Sequence, residues 1–252
     1  MDTWYIFTLF SAFIVGAVMG SFSNVCIYRI PLRLSIVRPG SYCPTCKTRL
    51  AILDNIPLLS FVFLKRKCRY CQGKISWRYP TVELLTGIFY LLVYMRFDFP
   101  ITIIYTLLVT SLIIISFIDI DHKIIPNVIT LPGIPIGLVL SYFFLPHSII
   151  SASIGLLGGS GLLLLMALIY PGGMGGGDIK MIAMLGAFFG WEKVFLTIFL
   201  GSLIGSVVGI AMIILKKGGR KTKIPFGPYL AAGAILSIFL GNEIIEYYVN
   251  FF

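Results

Sequence analysis

Two aspartates carry the chemistry this chain could do. Asp178 closes a glycine-rich stretch, PGGMGGGDIK (171–180), set between two long apolar segments. Asp119 ends another apolar run, in FIDIDHKIIPN (117–127). A carboxylate at a membrane boundary is costly to keep and is by default a functional-site candidate. Two of them within a few ångströms cannot both ionise readily, so one holds a proton. The ionised member can act as general base on water while the neutral one polarises a carbonyl, which is amide hydrolysis without a metal or a covalent intermediate. The glycines ahead of Asp178 free the backbone and admit the close approach of another chain.

Among the ten acidic residues, Asp2, Asp98, Glu192, Glu243 and Glu246 fall near the opposite face or the ends, and Asp54 lies in a polar segment. Glu83, Asp119, Asp121 and Asp178 remain at one boundary. The plainer reading of each is a solvated helix end, and Asp178 could be stabilised simply by the dipole of a helix it opens. Residues 172–177 lack the Lys-Ser/Thr pair and the preceding strand of a phosphate loop. His122 and His147 are the only histidines, and neither has a partner at ligand spacing.

A second constellation lies in the polar segment 28–80, which holds CPTC (Cys43, Cys46) and CRYC (Cys68, Cys71). Two C-x2-C pairs let each half wrap one side of a tetrahedral ion, and four thiolates make a closed structural Zn2+ site with no open catalytic position. A segment this small needs such a staple to hold its shape. Redox cysteines or unliganded thiols are the alternative. Cys26, the fifth cysteine, sits in an apolar run as an ordinary apolar-face residue.

The elements that must position these groups are membrane helices. The chain of 252 residues is 58% hydrophobic and 12% charged, with a mean hydropathy of +0.97. Runs of about 20 apolar residues read as spans. They are continuous rather than alternating, which argues against a β-barrel. The expected fold is an all-α polytopic membrane protein of about eight transmembrane helices with a small zinc-bound cytoplasmic insertion. The spans are read at 4–27, 81–95, 100–118, 128–145, 148–170, 178–190, 194–215 and 226–249, the sixth being short for a crossing. Three parts follow: a first helix (1–27), a four-cysteine module (28–80) and a seven-helix domain carrying the aspartates (81–252). With Asp2 and no basic stretch before its apolar run, the first span reads as retained rather than as a cleaved signal.

The net charge of +10 is distributed by topology, so nucleic acid is not the expected partner. Eleven of the 20 Lys and Arg residues lie in 28–80 and five in 216–225; Lys123 and Lys180 flank the acidic stretches. Eight spans put all of these on one face and leave Arg96 and Lys193 on the other. The positive-inside rule makes the basic face cytoplasmic, with Asp119 and Asp178 at that boundary. Anionic membrane lipids suit the basic module. Gly16/Gly20, Gly133/Gly137, Gly155/Gly159 and Gly201/Gly205/Gly209 read as sites of close helix packing.

These residues resemble a known family. GSFSNVCIYRIP (20–31), the two CxxC pairs, NIPLLSF (55–61), KCRYCQGKISWRYPTVELLTG (67–87), DIDHKIIPNVITLP (119–132), GGGDIK (175–180) and IPFGPYLAAG (224–233) occur in the order found in bacterial type IV prepilin peptidases. These are the leader peptidase/N-methyltransferases of the GxGD aspartic protease group. The resemblance covers nearly the whole chain. It implies removal of the basic leader from type IV prepilins or pseudopilins at the cytoplasmic face of the bacterial inner membrane. Methylation of the new N-terminal residue with S-adenosylmethionine would follow. In the family the first catalytic aspartate lies seven residues before the proline of its IP motif, which here is Asp119 before Pro126; the aspartate of GxGD is Asp178. Asp121, Gly175, Gly177 and Lys180 would support them. Asn127 stands where the family often has aspartate, and LAILD (50–54) where many members carry tryptophan.

The methyltransferase is linked in the family to the cysteine module and to VELLTG (82–87), which makes Glu83 and Gly87 the candidates for the cofactor site. No G-x-G-x-x-G signature accompanies them. Two other classes stay open on the residues alone. An ion-coupled transporter could use boundary carboxylates, although both lie at one face rather than at the midplane. A zinc-module membrane scaffold would need neither aspartate.

Overall fold

The computed structural model describes residues 3–170, 174–215 and 225–251. The basic residues at 216–224 and the first three residues of PGGMGGGDIK lie outside the described residues. So does Asp2.

Sustained apolar runs leave the backbone no solvent partner but itself, and the described apolar runs are accordingly helical. In chain order they form α1 (Thr3–Arg29), a short 3-10 turn (Ile52–Asn55), α2 (Leu59–Phe63), α3 (Arg78–Arg96) and α4 (Ile101–His122). Then come α5 (Asn127–Phe143), α6 (Ile149–Ile169), α7 (Gly176–Ile214) and α8 (Gly227–Phe251). Five of them, α1, α4, α6, α7 and α8, are long and apolar enough to cross a membrane, and α5 is a shorter apolar helix. Large apolar side chains stand exposed on them, among them Phe10, Leu157, Leu168 and Phe199. Such a surface is suited to lipid rather than water. The chain is a multi-pass membrane protein. The spans expected at 178–190 and 194–215 run as one 39-residue element, α7, broken at Gly190.

The chain divides into two compact units, Met1–Ile114 and Ile115–Phe252, with α4 running across the division. In the first, α1 and α3 pack backbone to backbone. A Cβ added at Gly16 would fall 2.7 Å from the Cβ of Tyr90, and one at Gly20 would fall 2.6 Å from the Cα of Glu83. The Asn24 amide ties the two helices by donating to the Tyr79 carbonyl at 3.1 Å. Tyr90 hydroxyl and Thr110 Oγ1 meet at 3.0 Å and join α3 to α4. At the end of α1, buried Arg29 donates to the carbonyls of Ser35, Pro39 and Gly40 at 2.7–3.0 Å and pins the loop that leads to the cysteines.

In the second unit α7 is flanked by α5, α6 and α8. A Cβ at Gly137 would fall 2.8 Å from the Phe188 ring, and one at Gly155 would fall 2.6 Å from the carbonyl of Gly190. A Cβ at Gly201 would fall 3.0 Å from the Tyr229 carbonyl. Of the small-residue positions named above, Gly16, Gly20, Gly137, Gly155 and Gly201 are therefore packing sites. Gly190 also has φ 74° and ψ −177°, a conformation essentially reserved for glycine, and this is what turns α7. Buried Thr197 donates to Ser237 Oγ at 3.0 Å and locks α7 to α8.

Candidate active site and metal centre

Asp119 lies in the last turn of α4 and is buried. A carboxylate there faces the negative end of its own helix, an unfavourable place. What compensates is another helix: Gly227, the first residue of α8, donates its backbone N–H to Asp119 Oδ2 at 3.0 Å. Just beyond, α4 is stopped by Lys123, which adopts a left-handed φ of 56° and donates its N–H to the Asp119 carbonyl at 2.8 Å. Pro126 then opens α5. Ile125 is left between these two signals.

Asp178 lies in the first turn of α7 and is also buried. Its Oδ2 accepts the Gly175 N–H at 3.1 Å, as a carboxylate three residues into a helix commonly does. That much is the plain helix-start reading. The remainder goes beyond it, because Asp178 and Asp119, 59 residues apart in the chain, are packed around a shared neighbour. Ile125 explains how they meet. A Cβ at Gly177 would fall 2.8 Å from Ile125 Cβ, and one at Gly227 would fall 3.3 Å from Ile125 Cδ1. The starts of α7 and α8 thus close on one side chain at the end of α4, and each carries or grips an aspartate.

The other expected residues divide. Gly175 and Gly177 stand beside the pair: a Cβ at Gly175 would press on Asp178 Oδ2 at 3.1 Å. Lys180 reaches sideways and donates to Asn127 Oδ1 at 3.0 Å, so Asn127 keeps a polar contact between α5 and α7. Asp121 is exposed, about 200° around α4 from Asp119 at the usual helical pitch. Glu83 and Gly87 belong to the other unit. Glu83 is buried and accepts the Leu58 N–H at 2.8 Å, and a Cβ at Gly87 would fall 2.8 Å from the Phe13 ring. Gly227 and Ile125 were not singled out as site residues from the sequence. IPFGPYLAAG and KIIPN stood out as motifs, yet nothing in them says which group they touch.

The four cysteines do come together. Their sulfurs all lie within 4.8 Å of one another, and Cys43 Sγ is 3.9 Å from Cys71 Sγ. Four sulfurs about 2.3 Å from a tetrahedral Zn2+ would sit at about 3.8 Å. The module is built as two copies of one turn. Cys43 donates its N–H to Thr48 and Cys68 its own to Gly73, each at 2.9 Å. Lys47 and Gln72, each directly after the second cysteine, both take φ 58°. Bridges Tyr42–Arg49 and Lys67–Lys74 flank the two turns.

The thiols do not titrate alike. Hydrogen bonds from Thr48 hold Cys46 down at about 6. The Cys71 backbone N–H lowers Cys68. Cys71 rises to about 11: the Gly73 N–H pulls it down, but burial and the hydrogen bonds with Cys46, Cys68 and Cys43 outweigh that. Four sulfurs this close resist being thiolates together unless a cation neutralises them, so the cluster could hold a metal ion.

Comparison with known proteins bears on both sites. Residues 14–97 match the bacterial peptidase A24 N-terminal domain, and residues 106–210 match the type IV leader peptidase family. Three similar proteins are each named prepilin leader peptidase/N-methyltransferase. That of Aeromonas salmonicida is 34% identical over 284 residues, covering 98% of this chain and 95% of the relative. That of Pseudomonas aeruginosa is 35% identical over 267 residues, covering 94% and 92%. That of Bacillus subtilis is 35% identical over 239 residues, covering 94% and 96%. No solved structure matches the chain. An ion-coupled transporter finds no support among these relatives.

Proposed function

Because this chain belongs to the type IV leader peptidase family, we propose that it cleaves the leader from type IV prepilins or pseudopilins and N-methylates the residue thus exposed. The observation that carries the peptidase half is the convergence of buried Asp119 and Asp178 around Ile125. In the reaction we assign to them, the ionised aspartate takes a proton from water as the water oxygen attacks the scissile carbonyl carbon. The protonated aspartate gives its proton to the carbonyl oxygen. Collapse of the tetrahedral intermediate breaks the C–N bond: the proton taken from water passes to the departing amine, and a hydroxyl of the intermediate returns its proton to the other aspartate as the carboxyl forms. Gly227 and Gly175 each hold one oxygen of an aspartate and so fix which oxygens face the substrate. Among the described residues, Gly176 has no heavy atom near its Cβ position, which leaves the approach open beside Asp178.

The orientation we assign is cytoplasmic for the site, in the bacterial inner membrane, from the placement of Lys and Arg. A prepilin joins a basic leader to an apolar helix, so its scissile bond would rest at that boundary. The cysteine cluster takes Zn2+ as a structural ion, its four positions filled by Cys43, Cys46, Cys68 and Cys71. S-adenosylmethionine, when bound, supplies the methyl group to the free amine and leaves as the thioether. The basic module rests against anionic lipid headgroups.

The test is cleavage of a purified prepilin by the wild type, Asp119→Asn and Asp178→Asn, with product masses read. Each substitution keeps the size and one acceptor oxygen and removes the ionisable group. A fall of at least about 10²-fold in both supports the pair, and undiminished cleavage by either variant overturns it. A further gain of one methyl mass that depends on S-adenosylmethionine tests the second activity.

A further inference from the structure

The five-residue helix α2 turns apolar side chains outward from a module that is otherwise polar. Its inner residues, Ser60, Phe61 and Leu64, line a cavity of about 370 Å3 between α1, α3 and the cysteine turns. Leu59, Val62 and Phe63, three and four positions apart and so on one face, are exposed, Val62 by 69% and Phe63 by 78%. The 3-10 turn packed against α2 adds Ile52, 88% exposed, and Leu53. Large apolar side chains gathered so at a surface mark an interaction site.

The depth of α2 follows from its neighbours. Leu58, which precedes it, donates its N–H to Glu83 Oε2 at 2.8 Å. Glu83 in turn packs on α1, where a Cβ at Gly20 would fall 2.6 Å from the Glu83 Cα. The exposed apolar stripe of α1, Phe7, Phe10, Ile14, Val18 and Phe22, runs past that level, since Phe22 lies about 3 Å further along the axis than Gly20. So α2 begins at a depth where α1 still presents an apolar side chain to lipid. At its far end come Lys65 and Arg66, with left-handed φ of 47° and 63°, and then Lys67. The Arg66 guanidinium lies 5.3 Å over the exposed Trp77 ring, which meets Phe61 at 5.0 Å. An exposed indole beside cations suits the headgroup level of a bilayer. Residues 55–82 hold six Lys and Arg and no acid.

We propose that α2 is an interfacial anchor of the cysteine module: Leu59, Val62 and Phe63 enter the acyl boundary of the leaflet, and Lys65 and Lys67 engage the phosphates of anionic lipid. Apolar side chains flanked by cations bind a bilayer surface in this way. The occupant is lipid rather than the apolar helix of a prepilin, because the positive charge that attracts anionic headgroups repels a basic leader. The inference rests on the lipid contact assigned above to the basic module and goes further, since apolar insertion holds the module even where the bilayer carries no charge.

The experiment uses the full-length chain in lipid nanodiscs. Trp4→Phe, Trp77→Phe and Trp191→Phe remove the native indoles, and Phe63→Trp reports from α2. Lipids brominated along their chains should quench that indole at least about twofold, in purely zwitterionic discs as well as in discs containing phosphatidylglycerol, and Val62→Glu should reduce the quenching. A second readout needs no substitution: a carbene reagent confined to the bilayer should label the tryptic peptide 50–65 of the wild type. Quenching that appears only with phosphatidylglycerol means that charge alone holds the module; it overturns the insertion and leaves the headgroup contact standing. An indole quenched by aqueous acrylamide and by neither lipid, or an unlabelled 50–65 peptide, overturns the anchor. Protection from acrylamide only when prepilin is added makes the substrate the occupant and likewise overturns it.

Discussion

Gly227 and Asp119, separated by 108 positions in the chain, are joined by a 3.0 Å hydrogen bond from the first backbone N–H of α8 to a carboxylate at the end of α4. The contact leaves no room for a side chain. A Cβ on residue 227 would fall 2.8 Å from Asp119 Oδ2 and 3.2 Å from its Cγ. Gly227→Ala should therefore displace the carboxylate while α8 still forms. Misplacement of a reacting group by about 1 Å costs on the order of 10²-fold in rate. Initial rates of prepilin cleavage at equal protein recovery measure it.

The three glycines ahead of Asp178 should respond unequally. At Gly177 a Cβ would meet the root of the Ile125 side chain at 2.8 Å, at Gly175 it would meet Asp178 Oδ2 at 3.1 Å, and at Gly176 it would meet nothing among the described residues within 4 Å. We expect Gly177→Ala to lose the most cleavage activity, Gly175→Ala less, and Gly176→Ala almost none. An equal loss in all three would point to backbone flexibility rather than local space.

Metal content offers a third check. Purified protein should carry one Zn2+ per chain, and replacing any of Cys43, Cys46, Cys68 or Cys71 by Ser should abolish it. Metal binding needs thiolates, so protons compete. With Cys71 at about 11 when no cation is present, uptake near neutral pH must release protons. Zn2+ should accordingly be lost as pH falls and retained as it rises, as a metal-release titration with a chromogenic chelator would read out.

The crossing of α6 and α7 should be the most demanding point of the second unit. Gly190 has φ 74°, and a Cβ there would also fall 2.5 Å from Ser151 Oγ. Gly190→Ala should cost about 1–3 kcal/mol from the backbone alone, with the clash added. Thermal unfolding in detergent is the measurement, and Gly161→Ala, with nothing within 4 Å, is the matched control.

Asn127 and Lys180 make a milder prediction. The 3.0 Å contact is exposed, so Asn127→Asp should keep it as an ion pair and leave cleavage within about twofold of wild type. A large loss in Asn127→Asp would mean that the added charge reaches the aspartate pair.

Much of the architecture was legible in local pattern. Apolar runs long enough to span lipid mark the membrane helices, because in hydrocarbon the backbone has no alternative to pairing within the helix. Two C-x2-C pairs mark a four-sulfur cluster, because each short spacing suffices to form one turn of the site. Asp119 and Asp178 stood out as carboxylates at the ends of apolar runs, Asp178 behind a run of glycines, and the resemblance chose them as the pair.

The rest depended on contacts between residues far apart in sequence. No local pattern reveals that Gly227 caps Asp119, that Ile125 gathers the starts of α7 and α8, or that α7 turns on Gly190 without a loop. Nor does any mark Asn24 Oδ1 as a buried acceptor without a donor among the described residues. Sequence determined which carboxylates, thiols and helices this protein has. Tertiary structure decided which helix ends they face and where a cavity remains, because those depend on how closely the glycine-lined helices pack, and packing is a property of pairs of elements rather than of either one.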